Sequence, residues 1–138
     1  MRKQGKRVGF VGDRPSKLNH SQDLPFFGTP SYKVLLSWFR TLDLDDWTLF
    51  NSHTQSELDL VLNFYQSGGV IVALGKTASK TLTQNNISHL KLPHPSPRNR
   101  ANNNKERLMS TLLDCKNKIY DITVHGKDLY KRQTQENP

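Results

Sequence analysis

The sequence predicts a three-layer α/β/α sandwich around a mainly parallel, four-stranded sheet. Short, continuous apolar runs alternate along the chain with longer segments in which apolar residues recur every three or four positions. Runs of the first kind form buried parallel strands, and segments of the second kind form amphipathic helices. Strict alternation of the two is typical of domains in which helices cover both faces of one sheet.

Four segments have the character of strands. RVGFVG at 7–12 and VIVAL at 70–74 are apolar, short and bounded by turn-forming residues, and VIVAL is the most strand-like segment in the chain. Residues 47–50 predict a second short strand between these two. Residues 87–92 predict a fourth, weaker strand, which stops at the proline-rich segment that follows because proline cannot continue a ladder or a helix.

Helices are predicted in the intervals between these strands. Apolar residues at helical spacing predict helices at 31–42, 56–66 and 77–82, and a polar helix at 100–116. Residues 119–124 are rich in β-branched side chains and predict a last strand or an extended edge.

Length, charge and cysteine content set limits on function. With 138 residues, we expect a single domain over residues 1–124 and a flexible C-terminal tail over 125–138. The net charge of +8 favours a polyanionic partner, above all nucleic acid, although a basic surface also serves solubility alone.

Cys115 is the only cysteine, which excludes an internal disulfide and a cysteine-built zinc or iron–sulfur site. We expect a cytoplasmic protein, because no apolar run reaches the ~20 residues of a membrane span and no signal-peptide core follows the basic leader. We also expect a monomer.

A polar motif follows each predicted strand, where ligands bind in open α/β sheets. The motifs are GDRPS at 12–16, NSH at 51–53, GKTA at 75–78 and HPSPRN at 94–99. In this order they resemble the uracil-DNA glycosylase superfamily, over roughly residues 7–100, and HPSP is the most specific of them. The resemblance implies a uracil-DNA glycosylase-like fold and an action on DNA.

The resemblance also implies roles for individual residues. Asp13 matches the residue that positions the attacking water, and His94 matches the histidine that donates a hydrogen bond to the carbonyl oxygen of the leaving base. Phe26, within a PFFG segment, matches the ring that stacks on the flipped base, and Asn51 matches the asparagine that reads its edge. Each has a structural alternative: turn formation for Asp13, a surface position for His94, core packing for Phe26 and capping of a turn for Asn51.

The chemistry of glycosidic cleavage agrees with these assignments. The sugar becomes cationic while negative charge grows on the base, so a site needs an anion near the sugar and a hydrogen-bond donor near the base. Asp13 and His94 can supply these. We expect them to lie close together, on the premise that they follow adjacent strands.

Basic and hydroxyl residues near these motifs predict contacts with DNA phosphates. The candidates in the loop after the fourth strand are Ser96, Arg98, Asn99 and Arg100. Lys76 and Thr77, at the start of a helix, predict a further phosphate contact. A solvated loop is the alternative.

The sequence departs from the iron–sulfur branches of the family in lacking their four cysteines and in having Arg14 and Ser16 in its first motif.

The function predicted from these observations is a DNA glycosylase that flips a base and hydrolyses its glycosidic bond without a metal or organic cofactor. Uracil is the family's usual target. One alternative is a DNA-binding module without this chemistry, which recognises damaged or abasic DNA or a repair enzyme. Another is an enzyme that nicks abasic sites through a lysine Schiff base. A compact, divergent member is consistent with a viral source, in which case we expect it in the host cytoplasm.

Overall fold

The structure is a computed structural model that describes residues 7–12, 30–44, 46–52, 54–95 and 104–125. Strands and helices alternate strictly through these ranges, which confirms the predicted α/β class. The elements are β1 (Arg7–Gly12), α1 (Pro30–Leu42), β2 (Asp46–Asn51), α2 (Gln55–Gln66), β3 (Val70–Leu74), α3 (Lys76–Gln84), β4 (Leu90–Leu92) and α4 (Lys105–His125).

The four strands form one parallel sheet in the order β2-β1-β3-β4. The central strands β1 and β3 are almost entirely buried, as expected for strands covered on both faces. The edge strand β4 is only three residues long. Because all four strands run in the same direction, the loops that follow them leave the sheet at one edge.

Helices cover both faces of the sheet and produce two hydrophobic cores. On one face, α1 and α4 pack against the strands, with Phe10, Leu35 and Ile119 among the buried residues. On the other face, α2 and α3 pack against the strands, with Val61, Ile71 and Leu82 among the buried residues. The predicted three-layer sandwich is therefore confirmed.

The C-terminal prediction was wrong in one respect. Residues 119–124 do not form a strand, because α4 continues without interruption from Lys105 to His125. Leu112, Cys115, Ile119 and Ile122 are all buried in one core, and their spacings of three and four place them on one helix face. Packing of this stripe against the sheet outweighs the strand preference of the β-branched residues.

The other element limits are close to those predicted, with two larger differences. The fourth strand begins at Leu90 and not at 87, because Ile87 is buried against the α2–α3 layer before the strand starts. Helix α4 begins at Lys105 and not at 100. Asn104 caps this start, because its side chain accepts a hydrogen bond from the Arg107 backbone N–H at 3.0 Å.

Among the described residues, no helix is long and apolar enough to cross a membrane. The division into a domain at 1–124 and a tail at 125–138 remains a prediction, since residues 126–138 lie outside the described ranges.

Candidate active site

The carboxyl edge of the sheet brings together the strand ends from which the candidate residues follow. Asn51 ends β2, and Lys76, Thr77 and His94 lie just beyond β3 and β4. Gly12 ends β1, so the chain passes directly from this edge to Asp13. The remaining candidates lie outside the described residues together with Asp13, and their roles stay predictions: Phe26, Ser96, Arg98, Asn99 and Arg100.

At the ends of β1 and β2, a buried hydrogen bond fixes the backbone that leads to Asp13. The side-chain hydroxyl of Ser52 donates to the carbonyl oxygen of Gly12 at 3.0 Å. Ser52 is only 3% exposed, so this bond is shielded from water and holds its geometry. The role of Ser52 is not predictable from the sequence, because a serine after a strand has no distinctive pattern.

Asn51 occupies the register position opposite Gly12 and is 2% exposed. Within the described part of the chain, no side-chain hydrogen bond to the Asn51 amide is present. A buried carboxamide carries two donor sites and an acceptor that need partners. The contact between Asn51 and the edge of a base remains a prediction.

Gly75 joins the end of β3 to α3 and lies against His94. Its backbone has φ 92° and ψ 168°, a conformation that side-chain-bearing residues rarely adopt. Its N–H donates to the carbonyl oxygen of Leu92 at 2.9 Å, which ties the ends of β3 and β4 together. A Cβ atom at this position would lie 3.3 Å from the Cβ of His94, so the absence of a side chain allows the close approach.

His94 itself is held between two prolines and has a perturbed imidazole. Pro95 is buried, and the residue before a proline is restricted to extended conformations, so the backbone at His94 has little freedom. The residue is exposed at the surface, but neighbouring atoms shield part of its ring from water. This partial burial lowers the pKa of His94 below its usual 6.5. The lowered pKa favours the uncharged imidazole at neutral pH, and this form offers one N–H donor.

Lys76 and Thr77 are the first two residues of α3, and both side chains are exposed. They stand next to Gly75 at the helix end where backbone N–H groups and the helix dipole favour an anion. The position suits the predicted phosphate contact, which remains a prediction.

The sheet order corrects one premise of the sequence analysis. Asp13 and His94 do not follow adjacent strands, because β3 lies between β1 and β4. Two strand spacings of ~4.8 Å place the two strand ends about 10 Å apart. The expectation that the two side chains lie close together remains a prediction, because Asp13 lies outside the described residues.

A second buried polar pair was missed by the sequence analysis. His89 lies just before β4, its Nδ1 is 2.8 Å from the Ile87 carbonyl oxygen, and its Nε2 is 2.8 Å from the Ser79 hydroxyl. A carbonyl only accepts hydrogen bonds, so Nδ1 carries the proton and the Ser79 hydroxyl donates to Nε2. Burial lowers the pKa of His89. The pair connects α3 to the start of β4, at the opposite end of that strand from His94.

These features define a parallel, three-layer α/β protein whose polar candidates gather at the carboxyl edge of its sheet. The sequence matches the family model of the uracil DNA glycosylase superfamily over residues 2–115, and the chain belongs to that superfamily. The predicted family and fold are confirmed. Membership supports a DNA glycosylase-type function and DNA as the partner at the level of the family. A search of curated proteins found no match.

Proposed function

We propose that the protein is a DNA glycosylase that extrudes uracil or another unusual base from DNA and hydrolyses its N-glycosidic bond. The observation that carries the proposal is the environment of His94. His94 lies at the carboxyl edge of the sheet, beside Gly75 and between two prolines, and burial lowers its pKa, which favours the neutral imidazole. This is the group expected to face the leaving base in a member of this superfamily.

The proposed chemistry begins at the base. As the glycosidic bond lengthens, negative charge grows on the base carbonyl oxygen, and the N–H of neutral His94 donates a hydrogen bond to it. A donor already held in position loses little reorganisation energy when the charge develops, and removal of one such donor typically costs about 10²–10³-fold in rate. Because burial lowers the pKa of His94, the ring does not need to release a proton first at neutral pH.

On the sugar side of the glycosidic bond, the developing positive charge requires an anion. In the proposal, the carboxylate of Asp13 orients the water that attacks the sugar and stabilises its cationic character. Asp13 follows Gly12, whose carbonyl oxygen is held by the buried Ser52 hydroxyl at 3.0 Å. This bond fixes the point from which the Asp13 segment leaves the sheet.

Recognition is assigned to a second group of residues. The buried Asn51 amide is proposed to pair with the base edge, and Phe26 is proposed to stack on the face of the extruded base. A stacked ring contributes about 1–3 kcal/mol per base. The proposed phosphate contacts come from Lys76, Thr77, Ser96, Arg98, Asn99 and Arg100.

Labelled oligonucleotides test this proposal. The protein is incubated with strands that carry uracil, other modified pyrimidines or a preformed abasic site, and the products are compared with and without alkali. Strand breaks that appear only after alkali indicate base excision and support the proposal. Direct breaks at the abasic site indicate nicking, and retention of DNA without breaks indicates a binding module; either result contradicts it.

A further inference from the structure

A groove of about 540 Å³ lies between α3 and the edge strand β4, beside the candidate site. We call it the lysine groove, because three of its lining residues are lysines and none of the described lining residues is acidic. It is lined by Gly75, Lys76, Ser79, Lys80, Thr83, Gln84, Lys91, Leu92 and Pro93.

The fold directs the lysines into this groove from both walls. Lys76 and Lys80 are four residues apart on α3, so they share one helix face with their Cβ atoms about 5–6 Å apart. On β4, Leu90 and Leu92 are buried in the core formed with α1 and α4. Side chains alternate along a strand, so the exposed Lys91 projects to the opposite face, where α3 lies.

The positive charge of the groove is not neutralised by nearby carboxylates in the part of the chain that is described. Among those residues, Lys76, Lys80 and Lys91 have no ion pair. Three ammonium groups around one groove repel one another, and a bound anion relieves this repulsion. The groove is therefore complementary to a ligand with several negative charges.

Two hydrogen bonds join the walls and fix the shape of the groove. The buried Ser79 hydroxyl on α3 is bonded to His89 before β4 at 2.8 Å. At the other end, the Gly75 N–H donates to the Leu92 carbonyl oxygen at 2.9 Å. A groove that is already formed avoids the cost of ordering its walls when a ligand binds.

The groove is continuous with the candidate active site. Gly75 and Pro93 line the groove. Pro93 precedes His94 in the chain, and Gly75 lies so close to His94 that an added Cβ would be 3.3 Å from the His94 Cβ. A polyanion bound at His94 can therefore extend along α3 and stay in contact with the positively charged lysines of the groove.

We propose that the lysine groove binds the phosphate backbone of DNA that flanks the target nucleotide, with Lys80 and Lys91 as its principal contacts beyond Lys76. The inference rests on DNA as the partner in the proposed function. Among the described residues that line the groove, none has an aromatic side chain for base stacking. The proposed contacts are made to phosphates, which are the same in every DNA sequence. The groove therefore adds affinity for DNA without a sequence preference.

Salt-dependent binding of a labelled DNA duplex tests the inference. The double variant Lys80→Ala, Lys91→Ala is compared with the parent and with a control, Lys33→Ala, Arg40→Ala, which removes the same charge from exposed positions of α1 on the other face of the sheet. On a duplex, loss of two phosphate contacts makes the slope of log K against log salt shallower by about 1.8 and weakens binding about 60-fold at 0.1 M salt. The control is expected to keep the parental slope.

The outcomes separate this inference from the proposed function. A parental slope in the groove variant, while the parent excises its base, refutes the groove and leaves the glycosylase proposal standing. A shallower slope, while the parent excises nothing, supports the groove and refutes the glycosylase proposal. If the groove variant binds DNA as the parent does but loses affinity for poly-glutamate, the groove is a surface for acidic proteins and the inference is overturned.

Discussion

Replacing Gly75 with alanine tests whether the close packing of the β3 and β4 loops positions His94. The added Cβ would lie 3.3 Å from the Cβ of His94, slightly inside the ordinary contact range that starts at 3.4 Å. His94 must then move by a few tenths of an ångström. If a displacement of about 1 Å costs about 10²-fold in rate, a shift of about 0.3 Å costs about fourfold.

The same substitution also strains the backbone. Gly75 has φ 92°, and a side-chain-bearing residue in such a conformation costs about 1–3 kcal/mol. We therefore expect Gly75→Ala to lower the free energy of unfolding by that amount, measured by urea denaturation. Excision of the base, measured in a single turnover on saturating enzyme, is expected to slow about fourfold.

Gly68 provides a matched control for the strain. It has φ 102°, and an added Cβ there would meet no atom within 4 Å. Gly68→Ala is expected to lose a similar free energy of unfolding while excision continues at the parental rate. If Gly75→Ala excises as fast as Gly68→Ala, the position of His94 does not depend on Gly75 and the reasoning is refuted.

Three further predictions follow from buried side chains. Ile119→Ala should lower the free energy of unfolding by about 2–5 kcal/mol, because Ile119 is 1% exposed in the core, whereas Leu113→Ala, at a position of the same helix that is 45% exposed, should lower it by less than about 1 kcal/mol. Equal losses in urea denaturation would contradict the assigned face of α4. The pKa of His89 is lowered in the folded chain below 6.5, so the unfolded state takes up a proton first and stability falls as the pH drops below 6.5. His89→Gln should reduce this dependence, and an unchanged dependence would contradict the assignment. Burial raises the pKa of the Cys115 thiol to about 12, so a thiol reagent at about pH 8 should modify it only after denaturation, and rapid modification of the native chain would contradict its burial.

The sequence predicted the fold well where one residue pattern dominates. RVGFVG and VIVAL form β1 and β3, whose residues are buried apart from Arg7. Each is short, apolar and followed by turn-forming residues, so local pattern and tertiary environment agree. The amphipathic stripe of α1 is equally clear, and its limits differ from the prediction by one residue.

The failure at 119–124 has a specific cause. Ile119, Ile122 and Val124 are β-branched and favour a strand when this segment is considered alone. The helical stripe becomes visible only when Ile119 and Ile122 are read together with Leu112 and Cys115, which are buried on the same side of α4. Packing against the sheet then decides the conformation.

The sequence correctly predicted which described candidate residues follow the ends of strands. It did not predict how these strand ends are arranged in space. The motifs that contain Asn51 and His94 do lie at the carboxyl edge. The order of the strands is a tertiary property, and the sequence alone gave no reason to place β3 between the strands that precede Asp13 and His94. The Ser79 and His89 pair also depends on how α3 packs beside β4, which no short motif encodes.

The central claim is that His94 stabilises the departing base in an excision reaction. Free base released from labelled DNA measures this directly, in parallel with DNA affinity, for the parent and for His94→Ala. The account predicts base release by the parent and a loss of about 10²-fold or more in the variant. It also predicts that the variant keeps its folded stability, because the His94 side chain is exposed. Base release at the parental rate by His94→Ala, or none by the parent on any substrate, would contradict the account.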